Sequence, residues 1–128
     1  MKTIKILITG VLMVLSSQVW GQENQFFKAF KLNDFSQVES FLDKRIDLGI
    51  YDDQHLLPKS EAIQKISNWI NNNKVKSLIE IHSGQSSDKK SHYRVAQLST
   101  DEGIFRVFVY VTEKQGKNVI KKVQIDRF

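Results

Sequence analysis

Residues 22–128 of this 128-residue chain are predicted to form one α+β domain, its helices packed on one face of an antiparallel sheet. Three observations predict it. Up to Ile70 the apolar residues recur mostly at helical spacing, with a single strand-like stretch between. From Val75 onward the apolar period falls to two. Polar turns containing Gly84, Gly103 and Gly116 then divide the remainder into four strands.

The leader separates first. Lys2 and Lys5 precede an apolar run from Ile6 to Leu15, and SSQVWGQ follows, which is the plan of a secretory signal peptide. A membrane-spanning helix needs about 20 apolar residues, more than this run supplies. Val19 and Gly21 place cleavage before Gln22, so residues 1–21 are the expected leader and 22–128 the domain. Such a leader predicts an exported protein, periplasmic or secreted, that meets a membrane only in transit. The chain has no cysteine, which excludes disulfides, a thiolate metal site and a lipid-modified N-terminal cysteine. Its net charge of +5 includes both leader lysines and is otherwise scattered, so nucleic acid is not an expected partner.

Phe26, Phe27 and Phe30 predict a helix over 24–32, and Val38, Phe41 and Leu42 a second over 35–43. Asp34 followed by Gln37 reads as a capping box at the start of the second. Ile46, Leu48 and Ile50 alternate as a strand over 45–51, and DDQHLLPK reads as a loop. Pro58 and Ser60 announce a third helix carrying Ile63, Ile66, Trp69 and Ile70, which ends in the NNNK run at 71–74. The four strands are predicted over 75–83, 92–99, 104–113 and 118–127.

Strand 104–113 orients the sheet. Phe105, Val107, Val109 and Val111 form one apolar row that belongs under the helices, whereas Arg106, Phe108 and Tyr110 lie on the outer row. A symmetric TDEG hairpin sets Leu98 opposite Phe105, Ala96 opposite Val107 and Arg94 opposite Val109, with Tyr93 opposite Tyr110 and Val95 near Phe108. The same alternation assigns Ile79, Ile81, Val119, Lys121, Val123 and Ile125 to the core row, and Glu80 and His82 to the outer one.

Chemistry-bearing residues are few. His55, His82 and His92 form no HxH or HExxH pattern, and the glycines form neither a phosphate loop nor a nucleophile elbow, so no metal, cofactor or catalytic residue is expected. Arg94 and Lys121, both assigned beside Val109, would be two cations over an apolar floor, a receptor for a small apolar anion. The same two side chains would otherwise reach water at the sheet edge, or pair with Asp34 or Glu39. Tyr51 and His55, with Asp52 and Asp53 between them, stand at a candidate pocket mouth; the plainer reading there is a polar loop. Tyr93, Val95, Phe108 and Tyr110 make the outer face unusually apolar and a candidate dimer surface.

These stretches carry a resemblance. FKAFKLNDFSQVESFLDKRIDLGI, PKSEAIQKISNWINNN, IHSG, HYRVAQLSTDEGIFRVFVYV and VIKKVQI resemble a family of small exported Bacteroidota proteins, domain of unknown function 4783. That family is similar in fold to the nuclear transport factor 2-like, or cystatin-like, superfamily. The resemblance spans nearly all of residues 22–128. It implies a cone-shaped domain with a strongly bent sheet wrapped around a helix, often with a pocket between them and often dimeric through the outer sheet face. It brings no catalytic residues, and fold alone does not assign function. The expected function is therefore non-enzymatic binding of a small apolar or anionic ligand or of a protein partner. The alternative is a small-substrate lyase, isomerase or hydrolase using Tyr51, Asp53, His55 and His82.

Overall fold

A computed structural model describes residues 25–128; the expected leader, residues 1–21, lies outside them. Three helices pack on one side of a six-stranded sheet. In chain order these are α1 (25–31), α2 (Phe35–Ser40), β1 (Leu42–Ile50), β2 (Asp53–Pro58), α3 (Lys59–Asn71), β3 (Val75–Gln85), β4 (Ser91–Thr100), β5 (Gly103–Lys114) and β6 (Lys117–Arg127). The sheet order is β2-β1-β6-β5-β4-β3, antiparallel throughout except where β1 runs parallel to β6. No helix among the described residues is long and apolar enough to cross a membrane.

The helix side holds the core. Phe26 and Phe30 of α1, Ile66 and Ile70 of α3, and Leu98, Phe105, Val107 and Val109 of the sheet all belong to one buried cluster. Trp69 of α3 meets the ring of Phe105 edge-on at 4.9 Å, a favourable aromatic geometry. Asp34 caps α2 by accepting from the Gln37 amide at 3.3 Å. The reciprocal half of the expected box is absent, because the Asp34 amide donates to the carbonyl of Ala29 at 2.9 Å.

The β4–β5 hairpin has the register expected of it, from Tyr93 opposite Tyr110 to Leu98 opposite Phe105. Four expectations are corrected. The stretch DDQHLLPK is not a loop: Asp53–Pro58 pairs back on β1 through a turn in which Tyr51 takes φ 57°. A left-handed tyrosine carries no glycine or asparagine signal, which hides the turn. Helix α2 ends at Ser40 because the chain already enters the sheet at Leu42, opposite Ile120 of β6. Gly84 lies inside β3 rather than in a turn.

The fourth correction concerns strand faces. On β3, Leu78 and Glu80 lie opposite Leu98 and Ala96 on the helix side, whereas Ile79 lies opposite Gln97 on the outer side and is 60% exposed. Ile81 is the extra residue of a bulge, which returns His82 to the outer row opposite Val95, where it was expected. On β6 a bulge at Lys121 separates the Tyr110–Lys122 and Val111–Ile120 pairs. Val123 and Ile125 keep their core positions, Ile120 replaces Lys121 there, and Val119 moves to the outer side opposite Thr112.

Candidate functional site

The two cations expected to line a pocket are instead committed to carboxylates. Arg94 is on the helix side as expected and its side chain is 7% exposed. Its Nη1 donates to both oxygens of Glu80 at 2.8 Å, which explains why β3 turns a glutamate inward and an isoleucine out: a buried guanidinium is costly unless paired. Lys121 stands out of the row at its bulge, half exposed, with Nζ 3.8 Å from Asp43. Asp43 also accepts from Lys114 Nζ at 3.2 Å and from the Lys44 amide at 2.8 Å. Burial pushes the Asp43 carboxyl up, but that amide and the two ammonium groups outweigh it and hold the group below the ordinary aspartate value. A cleft of about 260 Å³ between α1 and β3 is lined by Phe27, Lys28, Lys31, Leu78 and Glu80; among the described residues its one carboxylate is the one Arg94 holds.

The residues of the enzymatic alternative do not converge. Tyr51 places its hydroxyl inward, where it accepts from Trp69 Nε1 at 3.1 Å. His55 and Asp53 pair at 2.7 Å on the edge strand β2, both well exposed. Their positions opposite Leu48 and Ile50 put them on the helix side of β2. His82 is far along the sheet on β3, where its Nε2 meets the Tyr93 hydroxyl at 2.8 Å. Among the described residues no three His, Asp or Glu side chains gather in a way that would hold a metal ion.

The outer face of the sheet carries a groove of about 620 Å³. Val95 and Phe108 line its apolar part; Arg106, Gln124, Gln54 and Asp52 bring polar groups to it from β5, β6, β2 and the β1–β2 turn. Two glycines let side chains lie flat against the sheet beside it. The Gln124 carboxamide occupies the space that a Cβ on Gly49 would fill, and the Tyr93 ring does the same over Gly84. From that position Gln124 accepts from Gln54 Nε2 and donates to the Tyr51 carbonyl and to Asp126, each at 3.0 Å. The Tyr93 ring in turn stacks on Phe108 at 5.8 Å.

Stacking shrinks the apolar surface expected here. Of Tyr93, Val95, Phe108 and Tyr110, Val95 is buried at 8% exposure, and only Tyr110, at 38%, is exposed. Lys122 is engaged by Asp47 at 3.8 Å. Arg106 lies over the Phe128 ring, 5.4 Å from its centroid. Sequence reasoning placed Phe108 and Arg106 on this face but missed Gln54 and Gln124. A glycine inside strand β1 was the one signal available, since such a glycine often marks a close approach.

A family model described as domain of unknown function 4783 matches residues 24–126. The fold is similar to the crystal structure of a protein of that family from Bacteroides uniformis ATCC 8492, with 28% identity, a TM-score of 0.72, and coverage of 79% of this chain and 92% of that one. A family protein from Bacteroides ovatus ATCC 8483 is similar at 22% identity and a TM-score of 0.73, over 79% of this chain and 90% of that one. A nuclear transport factor 2-like protein from Cytophaga hutchinsonii ATCC 33406 shares the fold at 11% identity and a TM-score of 0.65, over 88% and 98% of the respective chains. No curated protein matches the chain.

Proposed function

The chain belongs to the domain of unknown function 4783 family, and within that family we propose that it is an exported, non-enzymatic binding domain that engages its partner across the outer face of the sheet. Export rests on the basic and then apolar plan of residues 1–21. The observation that carries the binding site is the contrast between the two faces. On the helix side Arg94 is closed onto Glu80, and the cleft between α1 and β3 beside them is about 260 Å³. On the outer side a groove within the size range of ligand sites combines an apolar floor with oriented amides and charged groups. Its mixed lining of amides and charges of both signs favours a hydrogen-bonding occupant over the small apolar anion that an Arg94 and Lys121 pocket implied. Self-association through this face is the weaker form of the reading, because a hollow set against its own copy leaves unfilled space.

A compound that binds the folded chain raises its Tm by mass action. Compounds that do so should fail to stabilise Phe108→Glu, which alters the outer face alone. Equal shifts in both proteins would move the site elsewhere.

A further inference from the structure

Resting on the outer-face reading above, we infer that the groove takes a short unblocked peptide, its carboxylate on Arg106 and its ammonium on Asp52. Among the described residues Arg106 and Asp52 make no ion pair, although the other charges near them do or are hydrogen-bonded: Lys122 has Asp47, and Asp126 accepts from Gln124. Arg106 has its guanidinium face against Phe128, which leaves its edge of N–H donors for a planar acceptor. Asp52 belongs to the β1–β2 turn at the opposite end of the groove lining.

The distance between these ends sets the ligand's length. Arg106 lies opposite Asp126 on β6, and the Tyr51 amide just before Asp52 bonds the Ile125 carbonyl, so Arg106 and Asp52 flank β6 from its two sides. Two strand spacings are about 10 Å. An extended chain advances at most about 3.5 Å per residue, so two or three residues match this backbone separation. Between the charges, Gln124 and Gln54 hold carboxamides whose remaining donor and acceptor capacity suits peptide groups, and Phe108 offers an apolar wall to a side chain. Arg106 and Asp52 at the two ends, with amides and an aromatic wall between, describe a zwitterion with an apolar middle, while Asp126 opposite Arg106 is turned to the Gln124 carboxamide.

The test uses the tripeptide Ala-Phe-Ala in three forms, unblocked, N-acetylated and C-amidated, titrated into ¹⁵N-labelled protein of residues 22–128 and read by amide shifts. The unblocked form is expected to shift the amides of Gln54, Arg106, Phe108 and Gln124, and each cap to weaken binding about tenfold, the loss of one charge-assisted contact. Arg106→Gln should become indifferent to C-amidation and Asp52→Asn to N-acetylation. Equal affinity for all three forms, or no binding of the unblocked form, overturns the inference. If other compounds still shift these amides, the outer-face reading stands without it; if shifts fall instead on Phe27, Leu78 and Glu80, both fail.

Discussion

At the scale of single residues, the guanidinium of Arg94 dictates more than its own position. It lies on the core row because the β4–β5 register leaves it no other, and β3 then supplies Glu80 at 2.8 Å. Glu80→Ala strands this charge in a site where it is 7% exposed, at a cost of about 3 kcal/mol, the lower end for a broken buried pair because Glu80 retains some solvent. Replacing both residues, Arg94→Met with Glu80→Leu, should recover most of that loss in urea denaturation. A double variant no more stable than Glu80→Ala would show that the pair is not self-contained. Asp43 makes a pH-dependent contribution. Its depressed pKa means that the folded state binds a proton less readily than the unfolded one, so its stabilisation is full above about pH 4, the ordinary aspartate value, and is lost as the pH falls through the lower folded value. Asp43→Asn should flatten the acid limb of the stability curve below about pH 4 relative to wild type.

At the scale of elements, alternation was legible on the regular β4–β5 hairpin and failed at the bulges of β3 and β6. The β4–β5 pairing could be read residue by residue because both strands keep period two through a tight turn. One extra residue at Ile81 and another at Lys121 reset the parity of β3 and β6, and no composition signal marks either. Each bulge has a physical reason after the fact: at Lys121 it carries an ammonium out of the apolar row to Asp43. Strand β2 was hidden for a related reason, a turn built on a left-handed tyrosine. The glycines give the element-scale prediction. Gly49→Ala would drive the Gln124 carboxamide off its bonds to Gln54 and the Tyr51 carbonyl, costing roughly 1–2 kcal/mol. In a Gln124→Ala background the same substitution should cost under about 0.5 kcal/mol, a coupling that denaturation of the four proteins measures. Equal costs in both backgrounds would remove Gln124 from the explanation.

For the whole molecule, the α+β class and the family could be recognised from the order of elements, while the binding face could not be read the same way. The sequence pattern pointed to Arg94 and Lys121 because both were assigned beside Val109, yet Arg94 is paired with Glu80 and Lys121 faces Asp43, which it shares with Lys114. The groove depends on Gly49, Gln54 and Gln124 meeting across β1, β2 and β6, a juxtaposition created by a parallel pairing between distant strands that local periodicity does not encode. Two faces therefore compete as the working surface, and they differ in which amides an occupant would touch. The most direct measurement is an NMR screen of soluble fragments and short peptides against labelled protein of residues 22–128. An outer-face site predicts shifts gathered on Gln54, Arg106, Phe108 and Gln124, with Phe27, Leu78 and Glu80 unmoved. Shifts gathered on Phe27, Leu78 and Glu80 would contradict it and return the function to the cleft between α1 and β3.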